Sequence, residues 1–364
     1  MSAQGLPGAA PTIDQDGPAT SRIGVGRRLA GLMRWEVLLL GILVALILVG
    51  TSLSKVFLSG ANFANLTSAI GEVAIMALPM TLIIITGEID LSVESMAGLA
   101  GAVLGWLWAA GVPLQIGIPM VLCVGIMGGL LNGLLVSRAA LPSLVVTLGT
   151  LALFRGLANV VLGPRAISDF PSWFTGFGFG NVPGTSIPWT LAVFAVLAIV
   201  FVAVTHRTWL GRWVFATGKN KDASRYSGIR VDRVKLVLFA ISGLIAALAG
   251  VLLAARFSSA RADNGTGLTL TVVTIVVLGG VDINGGKGTI IGVILAAAVL
   301  AVLQSALRLS GISSEYQGVA VGLLLIVSVI APQIARQTRT LLVRAAMGRH
   351  SPAGPNAPGE VVGR

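Results

Sequence analysis

Charged side chains are scarce in this sequence. Asp, Glu, Lys and Arg make up only 11% of its 364 residues, whereas 55% are hydrophobic. A soluble domain carries roughly 25% charged residues, so a water-soluble fold of this chain would have too few polar groups to cover its surface. We therefore expect lipid to surround most of the chain.

Side chains that bind metals or form disulfides are also few. The single cysteine, Cys123, lies in an apolar run and has no partner for an internal disulfide, and the two histidines, His206 and His350, fall in separate predicted loops. No cluster of residues has the spacing of a metal site. We predict neither a metal ion nor a cofactor.

Long apolar runs are abundant. A membrane-spanning helix needs about 20 mostly apolar residues, and the many glycines within these runs favour close packing between helices in lipid, although they could also mark flexible linkers. The predicted fold is an all-α, polytopic transmembrane bundle of about ten spans, of which the eighth is short. The ten segments are residues 36–55, 69–87, 93–111, 115–136, 141–161, 187–205, 235–255, 266–281, 289–308 and 317–335.

Three regions follow from this pattern. Residues 1–34 contain Gly, Pro, Ser and four arginines and are interpreted as a disordered cytoplasmic tail. Residues 35–335 form the transmembrane domain, and residues 336–364 form a cytoplasmic C-terminal tail. The first apolar run, residues 37–54, has 18 uncharged residues, which is long for a cleavable signal peptide. We interpret it as a retained helix.

The distribution of Lys and Arg predicts the orientation. With ten spans and both termini in the cytoplasm, 19 of the 25 basic residues lie inside, five lie outside, and Arg155 lies within a span. Cytoplasmic loops of membrane proteins carry such an excess. Eight of the 19 belong to residues 206–235. The net charge of +11 is thus an orientation signal, and we predict no binding to nucleic acid.

Residues 279–289, GGVDINGGKGT, superficially resemble a phosphate-binding loop. That motif requires a Gly at the position of Val281 and a Ser or Thr at the position of Gly288. We predict a tight cytoplasmic turn between two helices instead, built on Gly279, Gly280, Gly286 and Lys287. A transporter made of this chain would draw its energy from a partner or from an ion gradient.

An acidic turn follows the second predicted span. Glu88, Asp90 and Glu94 lie at its cytoplasmic end. Carboxylates stabilise helix N-termini, so one interpretation is a capped helix start. The alternative is a cytoplasmic gate, in which Glu88 and Asp90 act on the transport pathway.

Several polar side chains fall within predicted spans. Ionisable and amide groups are costly at membrane depth and usually face a cavity or a partner, and these groups would suit a neutral polar solute. Hydrogen bonds between helices are the alternative explanation, and Arg155 could instead extend to the outer interface. The candidates are Asn132, Thr147, Thr150, Arg155 and Asn159.

Two long loops could contact other proteins. In the basic loop, residues 209–235, we predict a turn at residues 218–220 and a short helix over 222–227 that ends at Gly228. A soluble motor could push on this helix, or the loop could serve only as an orientation signal. The outer loop, residues 162–186, is rich in Gly, Pro and aromatic residues, which suits either the membrane interface or an external partner.

Four motifs within residues 35–335 carry a family resemblance. They are GEIDLSV at 87–93, a P-x-x-x-x-T-L-G-T…R-G pattern from Pro142 to Gly156, the G-x-N-x-x-A-x-x-x-S-G-I pattern at 218–229, and LGG…GGKG at 278–288. Together they resemble permease subunits of the ribose/xylose/rhamnose class of bacterial ABC sugar importers, which includes autoinducer-2 permeases. Glu88, Glu94 and Lys219 replace glycines common in that class, and Glu88 is similar to rhamnose-type members.

The resemblance implies a division of labour in the bacterial inner membrane. Two permease chains, identical or paralogous, would form the sugar pathway, and a periplasmic sugar-binding protein would deliver its ligand to the outer loops, with 162–186 a candidate contact. Two cytoplasmic ATPase subunits would hydrolyse ATP and bind the basic loop. The implied coupling residues are Gly218, Asn220, Ala223, Ser224, Ser227 and Gly228.

Two other functions remain open at this point. An ion-coupled secondary transporter of a small polar solute would need no ATPase. A membrane scaffold or receptor would move no solute. Uptake that requires an ATPase and a binding protein would separate the first interpretation from both alternatives.

Overall fold

The protein is helical throughout the part that can be described. A computed structural model describes the backbone of residues 21–330 and the side chains of residues 35–330. Within these residues it contains thirteen α-helices and two isolated β-bridges. The helices are α1 (Ser21–Leu53), α2 (Gly60–Ile85), α3 (Val93–Ala109), α4 (Leu114–Ser137), α5 (Ser143–Leu162), α6 (Ser172–Phe179), α7 (Trp189–Arg207), α8 (Trp209–Lys219), α9 (Lys221–Tyr226), α10 (Val231–Phe257), α11 (Leu268–Leu278), α12 (Ile290–Leu309) and α13 (Ser314–Ile330).

Seven of these helices are long and apolar enough to cross a membrane. They are the part of α1 at Trp35–Leu53 together with α2, α4, α5, α7, α10 and α12. The other three predicted spans are also helical: α3 and α11 are shorter, and α13 is described up to Ile330, whereas residues 331–335 of the tenth predicted span lie outside the described residues. The eighth predicted span, residues 266–281, shrinks to the 11 residues of α11. An 11-residue helix is about 16 Å long, whereas the hydrocarbon core is about 30 Å thick.

Helices α3 and α11 adjoin irregular backbone. Residues 86–92 separate α2 from α3, and residues 258–267 separate α10 from α11. Gly87, Gly265 and Gly267 adopt positive φ angles of 78°, 92° and 84°, which side chains with a Cβ avoid. These glycines stop each helix from continuing, so α3 and α11 begin late.

Helix α1 starts earlier than the sequence predicts. It begins at Ser21, so residues 21–34 are helical although they were expected to belong to a disordered tail. The remaining tail segments, residues 1–20 and 336–364, lie outside the described residues. The apolar part of α1 is mostly exposed, whereas α2 is almost completely buried. Apart from Glu72, which pairs with Arg256, the buried part of α2 is almost entirely apolar, as expected of a helix at the centre of a bundle.

Glycines bring the central helices into backbone contact. A Cβ atom on Gly243 of α10 would lie 2.1 Å from the carbonyl oxygen of Gly125 on α4, and one on Gly129 would lie 2.2 Å from the carbonyl oxygen of Phe239. On the other side of α10, a Cβ on Gly250 would lie 2.2 Å from the oxygen of Ala97 on α3. Small residues therefore set the helix spacing, as in other membrane bundles.

Several chain segments meet at one end of the bundle, called the basic end here. The Gly286 N–H donates to the Ile85 carbonyl at 2.8 Å, and the Trp35 indole donates to the Leu278 carbonyl at 3.0 Å. Helices α8 and α9 lie at the same end. At the opposite end, Ile167 and Ala260 form a β-bridge and α6 packs on the last turns of α10.

Candidate functional site

Glu88 connects three chain segments at the basic end. Its Oε1 atom lies 2.8 Å from the Nζ atoms of both Lys221, on α9, and Lys235, on α10. The Glu88 side chain is only 8% exposed. Burial raises the pKa of this carboxyl, but hydrogen bonds from Lys221, Lys235 and Ser143 outweigh burial and hold its pKa below the ordinary value. The carboxylate is therefore charged at neutral pH.

Asp90 lies deeper, in a polar cluster between α3, α4 and α10. Its Oδ1 accepts hydrogen bonds from the Ser92 N–H and hydroxyl at 3.0 and 2.7 Å, and its Oδ2 accepts one from the Ser242 hydroxyl at 2.8 Å. The Asn132 amide donates to the Ser92 hydroxyl at 2.8 Å. Ser242 lies near the middle of α10, so residues 86–92 reach well into the bundle.

Glu94 forms a second charged contact in the interior. One carboxylate oxygen pairs with the Arg155 guanidinium of α5, and the other accepts the Thr269 N–H at 2.9 Å. Thr269 is the second residue of α11, where a backbone N–H has no partner within its own helix. The carboxylate thus joins α3 and α5 and also caps the N-terminus of α11, where negative charge is favourable.

Arg155 lies well inside its helix. It is the thirteenth residue of the 20-residue α5, which places it about 18 Å along the helix axis from Ser143. Its side chain pairs with Glu94 rather than extending along the helix to the interface, and it remains 40% exposed. A partly exposed arginine at this position within a spanning helix is typical of a side chain that faces a cavity or a partner.

The other polar residues predicted in spans divide into two groups. Asn132, Thr147 and Thr150 are buried, and the two threonine hydroxyls donate within their own helix, to the Ser143 and Val146 carbonyls at 2.8 and 3.1 Å. The two threonine hydroxyls therefore offer no free donor to a solute in this conformation.

Asn159 belongs to the second group, with Arg155. Its side chain is exposed, and its amide donates to the Arg155 carbonyl at 2.9 Å. Gly149, Ala152 and Gly156 are exposed along the same side of α5, and no heavy atom would lie within 4 Å of a Cβ added to either glycine. Among the sequence candidates, Arg155 and Asn159 thus border an open polar face of α5.

The predicted short helix in the basic loop is confirmed as α9, at Lys221–Tyr226. The expected turn at 218–220 is smaller, because α8 continues through Lys219 and only Asn220 leaves the helical conformation. The Asn220 Oδ1 atom accepts the Ala223 N–H at 2.9 Å and so caps α9. Gly228 ends it with a φ angle of 80°.

The predicted coupling residues differ in exposure. Ala223, Ser227 and Gly228 are exposed at the basic end, whereas Ser224 is buried beneath α9. Gly218 has no room for a side chain, because a Cβ there would lie in the Ile85 carbonyl group. The segment is an exposed surface resting directly on the end of α2.

The tight turn predicted between α11 and α12 is confirmed. Gly280 and Gly286 have φ angles of 85° and 75°, and a Cβ on Gly279 would lie 2.7 Å from the backbone of Val293 on α12. The exposed Lys287 ammonium lies 3.6 Å from an Asp282 oxygen. The turn contacts the end of α2 through the Gly286 N–H and Ile85 carbonyl.

Comparison with protein families decides the class of this bundle. Residues 62–329 match the family described as "branched-chain amino acid transport system / permease component". The chain belongs to this permease family. The permease is thus a multi-pass membrane protein and the membrane component of an import system, in which the ATPase is a separate subunit.

Curated relatives of the permease cover most of its length. It is 38% identical to the autoinducer 2 import system permease protein LsrD of Yersinia enterocolitica, over 83% of this chain and 92% of the relative. It is 36% identical to proteins of the same name from an Enterobacter species and from Yersinia pseudotuberculosis, over 83% of this chain and 94% and 92% of theirs. No solved structure matches the permease.

The sequence did not reveal the partners of the acidic residues. Lys221, Lys235, Ser242 and Thr269 complete the contacts of Glu88, Asp90 and Glu94, but they lie between 133 and 175 residues away along the chain. The one available signal was a carboxylate in place of a glycine, because a buried charge requires a partner. That signal predicts a partner but does not identify it.

Proposed function

We propose that this permease is the membrane-spanning subunit of an ATP-driven importer that carries a sugar or a sugar-like, hydroxyl-rich molecule across the bacterial inner membrane. Residues 35–335 would form its transmembrane domain, flanked by cytoplasmic tails at 1–34 and 336–364. The irregular segments beside α3 and α11 would complete the crossings that these short helices begin, giving ten in all. The basic end would face the cytoplasm, in agreement with the distribution of Lys and Arg.

The observation that carries this proposal is the open polar face of α5. Arg155 and Asn159 lie beside Gly149, Ala152 and Gly156 on the outside of a helix that is long enough to span the membrane. Lipid is a poor solvent for such a face. A second permease chain, identical or paralogous, would cover it, and the solute would pass between the two chains.

The chemistry of this face suits a neutral hydroxylated solute. Arg155 has five N–H donors, and its bond to Glu94 leaves others on its exposed side. The Asn159 side chain adds an acceptor oxygen. Because Glu94 neutralises Arg155, the pair would offer hydrogen bonds without a net charge, and Asp90, Asn132, Thr147 and Thr150 would act from behind by positioning α3, α4 and α5.

Two cytoplasmic ATPase subunits would supply the energy, one for each permease chain. Their docking surface would be the end of α8 with α9, where Gly218, Asn220, Ala223, Ser227 and Gly228 lie over the end of α2. Ser224, buried beneath α9, would fix this helix to the bundle. The adjacent turn, with Gly279, Gly280, Gly286 and Lys287, would form a second part of the same surface.

A periplasmic binding protein would deliver the solute at the opposite end. The outer segment 162–186 contains α6, which packs on α10 and presents the exposed aromatic side chains of Trp173 and Phe179. Exposed aromatic residues are common at protein interfaces. This segment is therefore the proposed contact for the loaded binding protein.

Reconstitution tests the whole proposal. The permease, its partner permease, the cognate ATPase and the cognate binding protein would be placed in proteoliposomes with labelled autoinducer-2, ribose, xylose and rhamnose. We expect uptake of at least one of them that requires ATP and the binding protein. Uptake by the permease alone with an ion gradient would support a secondary transporter. No flux under either condition would favour a scaffold or receptor.

The orientation is tested separately. Single cysteines at Lys219 and at Trp173, in a chain with Cys123 replaced by Ser, would be labelled with a membrane-impermeant maleimide in intact spheroplasts. We expect Trp173→Cys to react and Lys219→Cys to react only after the membrane is permeabilised. Reaction of Lys219→Cys in intact spheroplasts would overturn the proposed orientation.

A further inference from the structure

Glu88 forms two ion pairs that differ in their exposure to solvent. The Glu88 carboxylate shares one oxygen between Lys221 and Lys235, at 2.8 Å from each. The Lys235 side chain is only 9% exposed, whereas that of Lys221 is 44% exposed. Lys235 cannot leave without stranding a buried charge, but Lys221 can move into solvent at small cost while Glu88 stays neutralised.

The Glu88–Lys221 ion pair joins α9 to residues 86–92, the segment that enters the bundle. Lys221 is the first residue of α9, and Glu88 lies in the irregular segment 86–92. Two residues further on, Asp90 binds Ser242 near the middle of α10. The neighbouring Ile89 is also held in place, because its N–H donates to the Ser143 hydroxyl at the start of α5 at 3.2 Å.

From this geometry we infer that the Glu88–Lys221 pair is an electrostatic latch between α9 and residues 86–92, and that its engagement transmits displacement of α9 to α5 and α10. Lys235 keeps Glu88 in place when the latch opens. Glu88 and Lys221 are positioning residues, since neither lies on the open face of α5. The inference rests on the proposed function, because it assumes that an ATPase displaces α9.

The latch predicts a loss of coupling when the Lys221 charge is removed. In the reconstituted importer, Lys221→Met should lower the amount of solute accumulated per ATP hydrolysed by about threefold, the scale of a partly exposed ion pair. The ATPase should still copurify with this variant. Lys221→Arg should restore the ratio, and Arg138→Met, an exposed basic residue at the same end, should leave it unchanged.

A double variant separates the latch from a simple docking role of Lys221. If Lys221 acts through Glu88, the variant Glu88→Gln/Lys221→Met should have the same ratio as Glu88→Gln alone, because the pair is lost once. Multiplied losses in the double variant, or a Lys221→Met ratio equal to that of Arg138→Met, would overturn the latch. Wild-type importer without ATP-dependent uptake would instead overturn the proposed function, and the latch with it.

Discussion

Removal of Arg155 should destabilise the permease, because it strands a buried carboxylate. The Glu94 side chain is 9% exposed, and without the guanidinium it would keep only the Thr269 N–H as a partner. Breaking a fully buried ion pair costs about 3–5 kcal/mol. Because Arg155 is 40% exposed and α11 still stabilises the carboxylate, we expect Arg155→Gln to lower the free energy of unfolding by about 1–3 kcal/mol.

The measurement is unfolding of the purified permease in mixed micelles by added dodecyl sulfate, followed by circular dichroism. Arg308→Gln is the matched control, because Arg308 is exposed and has no ion pair within the described residues. The double variant Glu94→Gln/Arg155→Gln should recover much of the loss, since no buried charge remains. Equal stability of Arg155→Gln and Arg308→Gln, within about 0.5 kcal/mol, would refute the reasoning.

Three further predictions concern packing, protonation and coupling. Gly243→Ala should lower the unfolding free energy by about 1–3 kcal/mol, because the added Cβ would lie 2.1 Å from a carbonyl oxygen of α4. Gly149→Ala is the control, because open space surrounds Gly149, and it should not destabilise the permease. Equal effects of the two variants would contradict the close helix contact. Because the pKa of Glu88 is depressed in the folded protein, its ionisation stabilises the fold above the ordinary glutamate pKa of about 4.3, and this stability is lost as the pH falls below that value. The thermal unfolding temperature should therefore fall more steeply with decreasing pH below about 4.3 in wild type than in Glu88→Gln. Parallel curves for the two proteins would contradict this prediction. Gly228→Val, which forces a β-branched residue to a φ angle of 80°, and Ser224→Trp should abolish ATP-linked uptake without preventing membrane insertion; unchanged uptake in both would remove α9 from the coupling surface.

Most of the helical content could be predicted from the apolar runs, but α6 and α8 lie in segments that were expected to be loops. Each of the ten predicted segments coincides with a helix, and the short helix α9 was predicted from Gly228 and the polar residues before it. Helix ends were harder. The interruptions at 86–92 and 258–267 lie beside apolar sequence that could continue a helix, and only the contacts of Gly87 and Gly265 with other segments show why it does not.

The candidate site was predicted in residue type but not in arrangement. Thr147 and Thr150 are ordinary polar residues of a predicted span, and nothing in the sequence shows that their hydroxyls bond within α5. Arg155 was recognised as unusual because charge is rare in lipid. Its pairing with Glu94 depends on how α3 packs against α5, and that packing is a tertiary property that the sequence alone does not show.

The irregular segments at 86–92 and 258–267 give the bundle two joints. A continuous helix can bend only by breaking hydrogen bonds between its own turns, which is expensive where no water can replace them. Here the peptide groups at Ile89, Ser92 and Thr269 are already held by side chains of Ser143, Asp90 and Glu94. The transport cycle of the proposed importer would therefore turn the bundle about these points while every long helix stays intact.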